Sequence, residues 1–417
     1  MRVLLSSKNA FLHQSRRFSS RLDVSGAAPA FLFKKEAPPS APPVFVSGGC
    51  LPPPRVPVQI RDRYGLPGVK DSLTNSLLPA TLADPREDFP KVIMAQAAPG
   101  PSDAVLAETS PAVAAKALKA ELDALLPSHG AVVALGLGDC LDTPVKFSRF
   151  MEALKGEYDC RHFMEGRSMT SSNVANLVRT GSDDHPAYTI EPHNEYMVAS
   201  ANRPRKLFLL CSEEPTDGGE WVITDAERFE AGIPKEIVEK FGRLGARYEV
   251  FYPSEAEGVY NHWQENIAPT KEAAEAHLVR AGCEWEWDHK GIAGSLLIHR
   301  VLPALAPHPD DTSETPTPRW FNQIHAHHKT FYKDCHPDFE ARSDAEEPWP
   351  VHTKYGDGSE IEPEVLAKIR EAVWAASVSV PMTKGTLLCV DNYRALHGRI
   401  SFKPGTPRQS LVSIIYA

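Results

Sequence analysis

The chain has 417 residues, 42% of them hydrophobic, enough for one large domain or two ordinary ones with a real core. Its 45 Lys and Arg against 54 Asp and Glu give a net charge of -9, and no long basic stripe interleaved with aromatics occurs. That balance argues against a nucleic-acid partner and for small molecules.

The first residues carry Arg2, Lys8, Arg16, Arg17 and Arg21 with no acid before Asp23, and Leu4, Phe11, Phe18 and Leu22 recur at helical spacing. Residues 1–35 are therefore expected to be an organelle transit peptide, for mitochondrion or plastid. A disordered basic tail on a cytoplasmic protein is the alternative. Proline crowds the next stretch, so 36–85 is expected to be a disordered linker that cannot bury enough apolar surface to fold alone. The domain proper is predicted over 86–417, with ordered periodicity starting between about 85 and 110.

Val113, Ala117, Leu118, Leu122, Leu125 and Leu126 predict an amphipathic helix over Ala112–Leu126, followed by a strand at Ala131–Leu135. The apolar stretch Gly130–Leu135 is far short of the roughly 18 residues of a membrane span. Strands are predicted at Leu207–Cys211 and Trp221–Thr224, flanking the turn Thr216–Gly219, and at Leu387–Val390 and Leu411–Tyr416. Helices are predicted at Lys235–Leu244, Lys271–Ala281 and Pro363–Ala376, the last with Pro363 and the acids Glu362 and Glu364 at its start. Strands interrupted by helices without βαβ alternation predict a mainly β chain with inserted helices, an antiparallel jelly roll. Cys50, Cys140, Cys160, Cys211, Cys283, Cys335 and Cys389 are scattered and form no Cys-x-x-Cys pair, so they read as reduced structural thiols.

His193 and Glu195 stand two apart, which on a strand puts both side chains on one face. Tyr188–Pro192 before them is strand-like and broken by proline, a pattern for a barrel mouth. Alone, His-x-Glu is a weak signal. His397 follows the apolar strand and Asp391-Asn392, with Gly398 expected to give backbone freedom beside a crowded site. Arg408 comes after the turn Lys403-Pro404-Gly405 and can begin the next antiparallel strand, pointing into the same cavity. Two imidazoles and one carboxylate form the facial triad that holds Fe(II) and leaves one side open for oxygen chemistry.

Several segments in order resemble one family: Glu191–Glu195, Asp217–Glu220, His262–Gln264, Arg319–Gln323, Lys384–Asn392, Leu396–Arg399 and Arg408. From about Ala131 to Tyr416 the chain resembles the taurine-dioxygenase-like (TauD/TfdA) superfamily of Fe(II)/2-oxoglutarate oxygenases, and within it the clavaminate-synthase-like branch, which uses glutamate in the first motif. The resemblance implies a double-stranded β-helix, with His193, Glu195 and His397 as catalytic iron ligands and Arg408 as the partner of the distal carboxylate of 2-oxoglutarate. It further implies hydroxylation or desaturation of a small, amino-acid-like or carboxylated molecule by dioxygen, with release of succinate and CO2. Oligomeric state is left open.

One departure stands out. Many relatives place a threonine after the Gly-Gly-acid turn to hold 2-oxoglutarate, but here Trp221 stands there, with Thr224 or Ser410 as substitutes to be considered. His325, His327 and His328 could bind metal, but no carboxylate is placed with them, and a packed or solvated reading is preferred. Trp263 and Trp320 read as core anchors more than as substrate-stacking rings, and Arg399 as reaching the site or forming a surface ion pair. His308–Asp311 reads as a turn and Ser343–Glu347 as a solvated loop. Two rival functions share the jelly roll. A protein hydroxylase or demethylase usually holds 2-oxoglutarate with lysine, and a non-catalytic binding protein is disfavoured by the intact triad.

Overall fold

Ala131-Val-Val-Ala-Leu135 has no polar side chain, so a strand there must be covered on both faces. The structure, a computed structural model, describes residues 42–47, 82–96, 109–157, 173–181, 186, 189–196, 198, 203–254, 262–331 and 348–416. The transit-peptide stretch, most of the expected linker and the acidic run Ser343–Glu347 lie outside the described residues, as do Cys50, Cys160 and Cys335.

The apolar strand lies inside an eight-stranded sheet. Its spatial order is β1 (Val44–Ser47), β2 (Lys91–Gln96), β3 (Ala131–Leu135), β16 (Leu387–Asp391), β7 (Pro204–Glu213), β18 (Gln409–Tyr416), β5 (Val178–Thr180) and β4 (Asn173–Ala175). All of its pairings are antiparallel except β2 with β3. β1 falls within the stretch expected to be a linker: Val44-Phe45-Val46 has strong strand propensity, and an edge position tolerates neighbouring prolines.

A four-stranded sheet faces this one, in the order β15 (Ser377–Val380), β8 (Trp221–Asp225), β17 (Ala395–Arg399) and β6 (Ile190–His193). The alternation of side chains sorts each strand between two cores. Leu207, Leu209, Leu388, Val390 and Val412 of the large sheet meet Trp221, Ile223, Val378, Val380 and Ala395 of the small one. Their neighbours Phe208, Leu210, Leu387, Cys389 and Leu411 point the other way, against Leu118, Leu122 and Leu126 of α1 (Pro111–His129) and Phe147, Phe150 and Leu154 of α2 (Pro144–Glu157). Burying each such large side chain contributes about 1.5–3 kcal/mol. Two antiparallel layers over a shared core, with helices outside, form the expected jelly roll.

The remaining helices are α3 (Ala226–Gly232), α4 (Lys235–Leu244), α5 (Trp263–Asn266), α6 (Lys271–Ala281) and α7 (Pro363–Ala375). α4 and α6 match their predicted bounds, and Thr270 caps α6 by accepting a hydrogen bond from Ala273 N at 3.3 Å. α1 runs one turn further than its apolar periodicity, past Pro127, and ends at Gly130. A third sheet, β10 (Glu284–Trp287), β11 (Leu296–Leu302), β9 (Ala246–Tyr252) and β14 (Val351–Tyr355), and a short ribbon, β12 (Leu305–Ala306) with β13 (Arg319–Trp320), lie between β8 and α7 in the sequence. Trp263 and Trp320 are buried in the core around them. Cys140, Cys211, Cys283 and Cys389 are free and buried. No helix among the described residues is long and apolar enough to cross a membrane.

Candidate active site

β6 and β17 are antiparallel neighbours, and their register puts His193 directly opposite His397. The two imidazoles lie with ring centroids 4.6 Å apart, and His397 Nε2 is 3.5 Å from Glu195 Oε2. His193, Glu195 and His397 each present one donor atom within 4.8 Å of the other two. Arg408 is not part of this cluster and sits just before β18, beside the Gly218-Gly219 turn.

His193 and Glu195 do not share a strand. β6 ends at His193, and Glu195 stands in irregular chain. Asn392, which follows β16, holds that chain: Glu195 N donates to Asn392 Oδ1 at 2.7 Å, and Asn392 Nδ2 donates to Glu195 O and to Pro204 O, each at 2.8 Å. Asn194 extends the network, its Nδ2 donating to Asn392 O at 2.8 Å while its Oδ1 accepts from Asn322 N at 3.0 Å. Gln323 Nε2 donates to Asn194 O at 2.8 Å. A fully buried amide network of this kind fixes one arrangement.

A second lock holds β6. Glu191 and Arg370 of α7 are both buried, and Arg370 Nε lies 2.9 Å from each Glu191 carboxylate oxygen. Arg370 Nη2 donates to His325 O at 2.9 Å, and His325 Nε2 donates to Pro192 O at 2.7 Å. α7 and the histidine-rich segment thereby brace the residue before His193. Neither role was legible in the sequence: Glu191, Asn322, Gln323 and Asn392 were recognisable only as parts of motifs, and nothing marked Arg370.

Gly398 answers to space rather than to conformational freedom. Its φ is not positive, but a Cβ there would meet Ile190 O at 2.6 Å and Pro192 N at 3.0 Å, at the irregularity in its pairing with β6. Gly219 needs both: φ is 81°, and a Cβ would come 2.7 Å from Arg408 Cδ. The turn is paired with the loop before Arg408 through Gly219 N to Ser401 O at 3.1 Å and a bridge from Gly218 to Phe402. Arg408 Nε then donates to Gly219 O at 2.8 Å, its only side-chain hydrogen bond among the described residues.

The electrostatics suit a cation and an anion at these two places. Burial, then the nearby His397, lowers the pKa of His193 to about 4, so the ring is neutral at pH 7. Its Nδ1–H donates to Glu191 O at 2.8 Å, which leaves the Nε2 lone pair for a ligand. Burial works to raise the Glu195 pKa, but the hydrogen bond and charge of His397 with the charge of His193 outweigh it, so the carboxyl is held below its usual range and is anionic. His397 Nδ1 is buried with no hydrogen-bond partner among the described residues. Burial and the neighbouring Arg399 lower Arg408 to about 9, still cationic at neutral pH. Arg399 is buried, so a surface ion pair is not its role. Both guanidinium groups lie over the Phe402 ring, at 5.2 and 5.3 Å.

Of the candidate substitutes at the threonine position, Thr224 is turned away. It is buried on the outer face of β8 and hydrogen-bonded to Ser377 Oγ at 2.6 Å. Ser410 accepts from Trp221 Nε1 at 3.2 Å in the shared core, so indole and hydroxyl satisfy each other. The histidine-rich segment splits. His325 is structural, His327 has its pKa lowered to about 3 by burial, then by His193 close by, and His328 meets His352 and Glu360, a carboxylate remote in sequence. His308 is in a turn, with Asp311 N donating to its carbonyl at 2.9 Å, and its Nε2 also meets Asp391 at 3.0 Å.

The profile of the family described as taurine catabolism dioxygenase TauD, TfdA matches residues 96–414. The chain is 28% identical over 299 residues to the dapdiamide synthesis protein DdaC of Enterobacter agglomerans, covering 71% of this chain and 85% of that one. It is 27% identical over 306 residues to a clavaminate synthase-like protein of Arabidopsis thaliana, covering 72% and 85%. Among solved structures it is similar to PvcB of Pseudomonas aeruginosa, with 14% identity and a TM-score of 0.42 over 83% of this chain and 94% of that one.

Proposed function

Because the chain belongs to the taurine catabolism dioxygenase TauD, TfdA family, we propose that it is an Fe(II)- and 2-oxoglutarate-dependent dioxygenase whose metal is held by His193, Glu195 and His397. The observation that carries this reading is the convergence of two imidazoles and one carboxylate, all within 4.8 Å, from chain segments far apart in sequence. The donor set fits: a neutral His193 with Nδ1 already donating, an anionic Glu195, and His397 Nε2 directed at Glu195. When bound, iron supplies the oxidative decarboxylation of 2-oxoglutarate to succinate and CO2 and the oxidation of a substrate C–H bond, by hydroxylation or desaturation.

The protein's own residues bind and orient. Asn392, Asn194 and Gln323 hold the Glu195 backbone, and the Arg370–Glu191 pair holds β6. Arg408, its Nε occupied by Gly219 O, offers its fork to the distal carboxylate of 2-oxoglutarate. Trp221 stands where the family resemblance places a threonine in many members, and it offers that carboxylate no hydroxyl. The substrate is a small amino-acid-like or carboxylated molecule, a reading supported by kinship with a family named for taurine and with a dapdiamide-synthesis protein. The basic first 35 residues support an organellar address, which a fluorescent fusion would test.

Anaerobic addition of Fe(II) and 2-oxoglutarate should give the weak visible band of a chelated keto acid, and His193→Ala should abolish it. No band in the wild type, with metal content unchanged in His193→Ala, would overturn the site. Arg408→Gln should weaken 2-oxoglutarate binding about 10- to 100-fold with iron retained, the loss expected for a charge-assisted hydrogen bond; equal affinity removes that role. Substrate-dependent succinate release across amino acids and small carboxylates identifies the substrate class.

A further inference from the structure

The histidines of Gln323–His328 leave one short segment in different directions. His325 donates to the backbone of β6, and His328 turns toward β14, where its ring centroid lies 4.7 Å from that of His352. Glu360 returns across the turn after β14, closed by Tyr355 N to Ser359 O at 2.9 Å, and its Oε2 lies 3.0 Å from His352 Nε2. His328, His352 and Glu360 each present a donor atom within 4.8 Å of the other two. Both imidazoles are buried, at 3% and 4% exposure, while Glu360 reaches solvent and opens a path for loading.

The unexplained atom is His328 Nε2, buried with no hydrogen-bond partner among the described residues. Leaving a buried polar nitrogen unmatched is unfavourable, and a cation at this point would satisfy it. The far side of the ring is prepared: His328 Nδ1 lies 3.0 Å from Thr330 Oγ1, so Nδ1–H can donate to the hydroxyl and leave Nε2 as a ligand. Thr330 N donates to Nδ1 at 3.3 Å when that nitrogen is unprotonated, and a cation on Nε2 selects the other tautomer, in which Nδ1–H donates to Thr330 Oγ1. Two lysines stand near Glu360, but at long contacts of 3.8 Å for Lys329 and 3.6 Å for Lys354. Lys354 has a nearer partner in Glu249, at 3.2 Å, so Glu360 can turn to a cation.

We propose that His328, His352 and Glu360 form a second cation site, separate from the His193, Glu195 and His397 cluster, that takes a divalent transition ion of the zinc class. Two imidazoles and a carboxylate, with a fourth position open to water, are a known zinc donor set. The ion ties the segment Gln323–His328 to β14. In doing so it fixes His325 and His327, which flank the candidate active site.

The test is a zinc count on the metal-stripped full chain, titrated anaerobically with Zn2+ and measured by mass spectrometry after desalting. Two equivalents are expected in the wild type and one in either His352→Gln or Glu360→Gln. His193→Ala should also lose one equivalent, but a different one: with Zn2+ its thermal midpoint should rise, and His193→Ala/Glu360→Gln should show no rise. An equal zinc count in wild type, His352→Gln and Glu360→Gln overturns the second site, and Glu360→Gln, at an exposed position, keeps the test decisive if His352→Gln does not fold. The visible Fe(II)/2-oxoglutarate band, read on the same proteins, reports separately on the first site.

Discussion

Arg370→Leu isolates the brace behind β6. The side chain is 2% exposed, its Nε reaches both Glu191 carboxylate oxygens at 2.9 Å, and its Nη2 donates to His325 O at 2.9 Å. Removing the guanidinium leaves a 4% exposed carboxylate without its counter-charge, the situation in which breaking a buried ion pair costs about 3–5 kcal/mol. The freed His325 carbonyl adds on the order of 1 kcal/mol. At about 2 °C of melting temperature per kcal/mol for a domain of this size, the midpoint should fall by roughly 8–12 °C. The double variant Glu191→Leu/Arg370→Leu removes both charges and should recover all but about 1–2 kcal/mol, because a buried pair is worth little against apolar replacements of similar volume. Urea unfolding of wild type, both single variants and the double variant closes the cycle. A loss below about 1 kcal/mol in Arg370→Leu, or a double variant no more stable than the single, would refute the reasoning.

Asn392→Ala deletes the three hydrogen bonds that seat Glu195 and Pro204, so iron affinity should fall roughly 10- to 100-fold with little change in 2-oxoglutarate affinity for the iron-loaded protein, measured by metal competition. Gly219→Ala forces a left-handed φ on a residue whose Cβ meets Arg408 Cδ at 2.7 Å, and should raise the KM for 2-oxoglutarate about tenfold with iron content intact, the range for disturbing one charge-assisted contact. His325 is kept neutral by burial, then by Arg370, with its pKa down at about 3, whereas the unfolded chain takes up the proton near 6.5. Stability should therefore fall as pH drops from 6.5 towards 3, by up to about 1.4 kcal/mol per pH unit for this one group, and His325→Asn should flatten the slope by about one proton; an unchanged slope in urea titrations at pH 4–6 contradicts this assignment.

Periodicity and composition determined much of the architecture. The α4 and α6 bounds and the β3 strand follow from local spacing, which acts over a few residues. Motif order and the family resemblance named His193, Glu195, His397 and Arg408. What spacing could not provide is the pairing of β6 with β17 that sets His193 against His397, since nothing local relates strands some two hundred residues apart. The same limit hid Arg370 behind Glu191, and Asn392 under Glu195, because a buried polar partner is chosen by packing. It also misjudged Gly398, kept small by the backbone of its paired strand, and Thr224, turned outward by strand parity. His328 looked like a histidine without a carboxylate until the turn after β14 returned Glu360 to it. The sequence determined the candidate donors and the layers; tertiary contact alone decided which donors meet, because the distances that matter to a metal are a few ångströms and those contacts are made across the fold.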